Sequence, residues 1–168
     1  LIEEFGDEWG NKWMFHCRWA REVDQHSAGR RIAALMAPDG SDEERAAVAN
    51  GIVARMVGRT WFVGSNEQTA PQIEASWKEG LAQLNAHLAG RSYLFGERPA
   101  FGDFGLWGQV YNAWTDPTCG AMLEQGAPHA LAWVERMLAP EALGEFETWN
   151  TLEATLTPFL ERQVGTLF

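Results

Sequence analysis

Tyr93-Leu94-Phe95-Gly96-Glu97-Arg98-Pro99-Ala100-Phe101-Gly102-Asp103-Phe104 is the stretch that decides the fold, because it reads as a turn that leads into a helix. Gly96 and Pro99 in its first part are typical of a turn. The segment Phe101–Trp114, which begins within this stretch, is rich in aromatic and small residues. Asp103 stands in the first turn of that helix, where a carboxylate accepts a backbone N–H near Ala100 and favours the helix N-terminus. We therefore predict that Asp103 is a structural capping residue, and we prefer that role to acid–base chemistry.

The chain before residue 40 follows helical spacing. Apolar or aromatic residues recur every three or four positions, which predicts one helix face more than twenty residues long. That face consists of Ile2, Phe5, Trp9, Trp13, His16, Ala20 and Val23. Phe15 and Trp19 widen this face on one flank. Residues 25–29 are expected to weaken or bend the helix, and the turn residues at 38–40 are expected to end it. The last apolar positions before that turn are Ile32, Leu35 and Met36.

Two more helices are predicted between residues 41 and 90. Ser41 and Glu44 form a capping box that opens the first of them, and the apolar piece 61–63 reads as a loop or a turn of helix. A capping signal at Ser65 and Gln68 precedes the second, which ends at a glycine. Its apolar positions are Ile73, Trp77, Leu81, Leu84 and Leu88.

Prolines mark the helix boundaries in the last third of the chain. Pro117 ends the Phe101–Trp114 helix, and Pro128 opens another that closes before Pro140. Pro158 interrupts or kinks the last helix. The sequence therefore predicts an all-α fold, a single helical bundle in which residues 1–168 form one domain.

Composition excludes several classes of protein. A chain of 168 residues with 46% hydrophobic and 21% charged residues is typical of one globular domain. Its net charge of −10 disfavours nucleic-acid partners, and no apolar run is long enough to span a membrane. Cys17 and Cys119 cannot form a disulfide framework or a four-ligand zinc site, so we expect a cytoplasmic protein. Both ends look cut, which predicts a domain of a longer chain.

Two motifs resemble one family. Residues 93–104 resemble the turn-into-helix motif of the C-terminal domain of cytosolic glutathione transferases, with its aromatic-Leu pair, Gly, acidic residue, Pro and Asp. Residues 128–137 resemble the next helix of that domain, which opens with Pro and carries a Trp. Residues 5–9 and 156–160 are similar to the same family less specifically. This sequence departs from the motif at Ala100, where the family has Ser or Thr and so completes a capping box.

The resemblance implies a function divided between two domains. In the family an N-terminal thioredoxin-like domain, which nothing in this sequence resembles, binds glutathione as co-substrate and supplies the catalytic residue. The helical domain shapes the pocket for a small hydrophobic electrophile and part of a homodimer interface. We therefore expect no catalytic residue and no cofactor in this chain. The alternative is a transferase-like module that dimerises or docks a protein without catalysis, and the type of domain encoded upstream would discriminate the two.

Three residues are candidates for substrate binding. His16, Trp19 and Tyr111 lie where the resemblance places the electrophile pocket, although each also fits the spacing of a core residue. No metal site is predicted, because His26 is ten residues from His16 and Cys17 points to another face. The flank formed by Phe15 and Trp19 is our candidate for the dimer contact.

Three glycines and one cysteine are interpreted as structural residues. Three glycines at positions 102, 105 and 108 lack the strand and Lys of a phosphate loop, so we expect them to let a neighbouring helix approach closely. Cys119 has no basic residue or helix start clearly beside it, and we do not expect a reactive thiol there.

Overall fold

The computed structural model describes residues 1–6 and 11–165, so Trp9 of the predicted apolar face and residues 166–168 lie outside the described residues. Within these ranges the chain forms helices and no β-strand, which confirms the all-α prediction. The helices, numbered in chain order, are α1 (Ile2–Phe5), α2 (Asn11–Ala20), α3 (Glu22–Met36), α4 (Asp42–Val57), α5 (Ala70–His87), α6 (Phe101–Trp114), α7 (Pro117–Gly126), α8 (Pro128–Arg136) and α9 (Trp149–Phe159). Short 3₁₀ helices lie at Thr60–Val63 and Leu88–Gly90, and a π-helical turn at Leu160–Val164 follows α9.

The main core lies between α5, α6, α8 and α9, with α1 and α2 packed against it. The predicted spacing is confirmed, because its four apolar positions in α5 and Leu88 in the 3₁₀ helix that follows are all buried. Large aromatic side chains carry much of this core, since Trp13, Trp77 and Trp133 are all buried and Phe5 packs edge-on against Trp13 with ring centroids 5.2 Å apart. As expected, the last helix is interrupted just after Pro158, where α9 passes into a π-helical turn.

The predicted continuous first helix is wrong, because the chain breaks at Arg21. Arg21 has extended backbone angles (φ −123°, ψ 140°), so α2 ends before it and α3 begins after it. The register of burial changes there: Val23 is exposed, whereas Asp24 is fully buried. The cause is a distant contact, since the Asp24 carboxylate accepts hydrogen bonds from the Thr118 backbone N–H (2.8 Å) and hydroxyl (2.6 Å) at the start of α7. Residues 25–29, the predicted weak point, lie inside an unbroken α3.

The hairpin formed by α3 and α4 has an interior of small residues. Its buried apolar residues are Ala28, Gly29, Ala33 and Ala49. A Cβ added to Gly29 would lie 2.8 Å from Val53 Cγ2, which shows how closely the two helices approach. The predicted apolar residues Leu35 and Met36 do not pack inward but are 82% and 67% exposed. No described residue of this hairpin belongs to the main core.

Two other boundaries differ from the prediction. The Ser65 hydroxyl contacts a histidine in α2 rather than capping α5, and the turn before α5 is closed instead by Asn66, whose side-chain oxygen accepts the Thr69 N–H at 3.1 Å. Pro117 not only follows α6 but also opens α7, a helix that the sequence reading missed. Proline is favoured at the first position of a helix because its missing N–H would have had no partner there.

A close approach of a neighbouring helix was expected at three glycines of α6, and it is found at two of them. A Cβ on Gly105 would lie 2.7 Å from Glu3 Cγ, and one on Gly102 would lie 3.4 Å from Ile2 Cγ2. Gly108, in contrast, faces open space. The first two glycines therefore bring α1 against the first turns of α6.

Candidate functional site

Asp103 joins three parts of the core through its carboxylate. Oδ2 accepts the Ala100 backbone N–H at 2.8 Å, and Oδ1 accepts both the Leu94 N–H at 2.8 Å and the Trp133 indole N–H at 3.0 Å. The residue is fully buried. Burial raises the pKa of Asp103, while these hydrogen bonds act in the opposite direction. Both carboxylate oxygens have protein donors, so the group holds the start of α6 against the preceding turn and α8.

Gly96 shapes the turn that Asp103 organises. Its φ of +124° lies in the region that favours glycine, and a Cβ there would lie 2.7 Å from the Glu145 carbonyl oxygen. The Glu97 N–H donates to the same carbonyl at 3.0 Å. The turn before α6 is therefore pressed against the segment that leads into α9.

His16 is a buried residue with protein partners on both ring nitrogens. Nδ1 lies 2.7 Å from the Ser65 hydroxyl, and Nε2 lies 3.2 Å from Glu74 Oε1, which Arg21 also contacts. Burial acts to raise the pKa of Glu74, but the hydrogen bond from His16 and the charge of Arg21 outweigh it and lower that pKa. The order Ser–His–Glu is that of a hydrolytic triad, yet Ser65 and His16 are both buried. We interpret the group as a tie between α2, the turn before α5 and α5 itself.

Trp19 and Tyr111 lie in different environments. Trp19 is only 2% exposed and contacts Phe15, with ring centroids 6.4 Å apart. It is enclosed within its own chain, so the expected dimer contact at Trp19 is wrong; Phe15 is half-buried. Tyr111 is half-buried and stacks on Trp107 of the same helix, with centroids 4.9 Å apart and an interplanar angle of 26°. In the described part of the chain, the three substrate-binding candidates therefore contact different neighbours.

An apolar groove lies instead between α1, the first turn of α6 and α9. It encloses about 370 Å³, which is within the range of small-molecule pockets. Phe101 and Trp149 line it and are 76% and 51% exposed. Among the described residues that line it, Glu3 is the one with an ionisable side chain. Other parts of the groove wall are formed by Phe95, Leu156 and Leu160.

The sequence reading missed this groove, although one signal was present. Phe101 and Trp149 are the first residues of their helices, and Trp149 lies seven and eleven positions before Leu156 and Leu160 on one side of the last helix. That spacing indicates a second apolar stripe beside the core-facing one. Which segments the stripe meets depends on contacts between residues more than 40 positions apart.

The two thiols are buried in contact with each other. Cys119 lies in the first turn of α7, contrary to the expectation that no helix start was beside it. Its pKa is nevertheless raised, first by the hydrogen bond with Cys17 and then by burial. Among residues 1–6 and 11–165, no group of three or more His, Cys, Asp or Glu side chains could hold a metal ion. In the same ranges no helix has the length and apolar character needed to cross a bilayer.

The comparisons with known proteins identify the type of domain. Residues 66–136 match the family model described as glutathione S-transferase, C-terminal domain. The matched segment runs from just before α5 to the end of α8, and it includes the turn that Asp103 organises and Trp133. Comparison with curated proteins and with solved structures gives no match. Together with the all-helical fold, this match supports a helical domain of the glutathione S-transferase C-terminal type over residues 66–136.

Proposed function

We propose that this chain is the non-catalytic, helical half of a glutathione S-transferase-like protein and that it holds a small hydrophobic electrophile. The observation that carries the proposal is the groove between α1, α6 and α9, whose exposed Phe101 and Trp149 leave apolar surface available to a ligand. Burying such surface is favourable in proportion to its area. The groove replaces His16 and Trp19 as the place where we expect the electrophile, because those two side chains are buried.

Glutathione binding and activation fall to a thioredoxin-like domain in this proposal. The reaction needs a thiolate beside the electrophile, and glutathione brings two carboxylates that require cationic or N–H partners. Several arginines of this chain already have acidic partners: Arg18 and Arg31 both contact Asp116, at 2.9 and 2.6 Å, and Arg91 contacts Glu147 at 3.0 Å. With a net charge of −10 the chain offers little to attract a second anion.

A homodimer through the α3–α4 hairpin is the second part of the proposal. Val23, Leu35 and Met36 are large apolar side chains that this hairpin leaves exposed. Leu35 and Met36 are adjacent at the end of α3, and contiguous exposed apolar surface marks interaction sites. The hairpin therefore replaces Trp19 as the contact surface. We also place the protein in the cytoplasm, which the free thiols of Cys17 and Cys119 support.

A ligand titration tests the groove directly. We expect tert-butylbenzene, a neutral aromatic probe, to shift the indole N–H resonance of Trp149 and the backbone N–H resonance of Gly102, which also lines the groove, in a heteronuclear NMR titration. Trp149→Ala should weaken the binding that is followed at Gly102. The matched control is Trp61→Ala, because Trp61 is also exposed but lies between α4 and α5. Loss of binding in Trp61→Ala but not in Trp149→Ala would contradict the assignment of the groove.

A calorimetric titration with glutathione tests the division of labour. We expect no binding tighter than about 0.1 mM, since the carboxylate partners are missing. Tighter binding would show that the glutathione site lies within this domain and would overturn the description of the chain as the non-catalytic half.

The alternative, a protein-docking module, is favoured by one observation. Trp61 and Phe62 form an exposed edge-on pair with centroids 4.1 Å apart, and the Arg59 guanidinium lies 6.0 Å from the Phe62 ring. Aromatic and Arg side chains are enriched in protein interfaces. The full reading frame separates the two functions: a thioredoxin-like sequence directly upstream supports the transferase, and an upstream domain of another type supports docking.

A further inference from the structure

We propose that the groove between α1, α6 and α9 selects a positively charged ligand with an apolar body, an aryl- or alkylammonium cation, with Glu3 as its counter-charge. The inference rests on the proposed function, which places a small hydrophobic ligand in this groove. It adds a charge preference that an apolar wall alone would not give.

The stem of Glu3 is packed, whereas its carboxylate has no side-chain partner among the described residues. The side-chain stem packs against α6, where an added Cβ on Gly105 would lie 2.7 Å from Glu3 Cγ and 2.8 Å from Glu3 Cα. No hydrogen bond or ion pair joins its carboxylate to another side chain within the described parts of the chain. Because both partners of an ion pair normally lose water on pairing, a carboxylate beside apolar walls favours a weakly hydrated cation such as a quaternary ammonium group.

Three aromatic rings surround the same space. Phe101 and Trp149 stand exposed at the sides, and Phe95 lies over Gly102, where an added Cβ would be 3.2 Å from Phe95 Cε2. The negative face of an aromatic ring attracts a cation, and several rings around one cavity are the usual means of recognising quaternary ammonium ligands. The leucines of α9 supply the apolar contact for the rest of the ligand.

Apart from the amino terminus at Leu1, the balance of charge at the groove is negative. The N-termini of α6 and α9 lie at Phe101 and Trp149, and each contributes roughly half a positive charge. Opposing them are the full charge of Glu3 and the Asp103 carboxylate, which already occupies the N-terminus of α6 through its contact with Ala100. No Lys, Arg or His side chain lines the groove in the described residues.

The test compares three probes of similar size on the whole chain with a blocked amino terminus, because Leu1 also lines the groove. Phenyltrimethylammonium is the cation, tert-butylbenzene its neutral carbon isostere, and benzenesulfonate the anion. Binding is followed at the indole N–H of Trp149. We expect the cation to bind about three- to tenfold more tightly than the isostere, the range that exposed cation–π and carboxylate contacts allow, and the anion to bind most weakly.

Glu3→Gln should remove the preference for the cation and leave tert-butylbenzene binding unchanged. The matched control is Glu4→Gln, because Glu4 is exposed on the same helix and does not line the groove. Thermal unfolding of each variant shows that the fold is retained.

Each outcome decides between the two proposals. Equal affinity for cation and isostere, or the same effect from Glu4→Gln as from Glu3→Gln, overturns the charge preference and leaves the groove as a neutral hydrophobic site. If no probe shifts Trp149 up to about 10 mM, which corresponds to very weak binding, the proposed function fails together with the inference.

Discussion

The α3–α4 hairpin and the region from α5 to α9 bury their side chains in opposite ways. The later region buries large residues such as Trp77, Trp133 and Leu84 in one core. The hairpin buries alanine and glycine and leaves Leu35 and Met36 exposed. Large buried side chains stabilise a domain from within, whereas large exposed ones are available to a partner. The later region therefore maintains the fold, and under the proposed function the hairpin is the contact surface.

Replacing a large core residue should give the largest effect. Trp133→Ala removes a fully buried side chain and the indole N–H that Asp103 accepts, so we expect a loss of about 3–5 kcal/mol in the free energy of unfolding. Leu35→Ala in the hairpin should stay within about 0.5 kcal/mol of the wild type. Urea unfolding followed by circular dichroism measures both.

If Trp133→Ala does not fold, a more conservative substitution at the same position can be measured in its place. Trp133→Phe keeps most of the ring and loses the hydrogen bond, and we expect an intermediate loss. Equal costs for Trp133→Ala and Leu35→Ala would show that the hairpin is as important to the fold as the core.

Removing the carboxylate of Asp103 should have the next largest effect. Asp103→Ala leaves the N–H groups of Leu94, Ala100 and Trp133 without their acceptor, and we expect a loss of about 1–3 kcal/mol. Ala100→Ser restores a capping hydroxyl at an extended N-cap position and should stabilise by about 0.5–1 kcal/mol. If urea unfolding shows a change near zero in the free energy of unfolding for both variants, the capping role is contradicted and a functional role for Asp103 is favoured.

How far the sequence predicted this structure depends on whether a feature is local. The capping box of Ser41 and Glu44 is confirmed, with the Glu44 N–H donating to the Ser41 hydroxyl at 3.2 Å, because its partners are three residues apart. The break at Arg21 was missed, because Asp24 is held by Thr118, which is 94 positions away. Helical spacing shows which residues share a face but not which face another segment covers.

The candidate site shows the same limit. His16 was expected to border a pocket because the family resemblance places the electrophile site there, but its neighbours Ser65 and Glu74 come from later segments and satisfy both ring nitrogens. The groove, in turn, combines α1, the first turn of α6 and residues along α9, which no local pattern connects. Tyr111 remains a prediction as a substrate contact.

Acid should weaken the core region through His87. Burial lowers the pKa of His87 from its ordinary value of 6.5, and its ring nitrogens contact the Leu94 carbonyl at 2.7 Å and the Thr155 hydroxyl at 2.8 Å. Because the unfolded chain takes up a proton first, stability is present above pH 6.5 and is lost as the pH falls below it. The slope can reach about 1.4 kcal/mol per pH unit for one group.

Unfolding in urea between pH 5 and 7.5 measures this slope. His87→Gln should flatten it, whereas His129→Gln should not, because His129 is exposed on α8. The same slope in both variants would assign the acid sensitivity to another group.

The hairpin should show the smallest effect on folding and a selective effect on association. Leu35→Lys and Met36→Lys place charges on side chains that are already exposed, so we expect changes within about 0.5 kcal/mol in unfolding. If the hairpin is the dimer contact, the same changes bury an unpaired charge between two copies and should weaken association at least about tenfold. Sedimentation equilibrium at micromolar concentration measures this, with Leu138→Lys as control because Leu138 is also exposed and lies just after α8. A dimer that is unaffected by the hairpin variants but lost in Leu138→Lys would move the contact surface to the core region and reverse the roles assigned to the two parts of the chain.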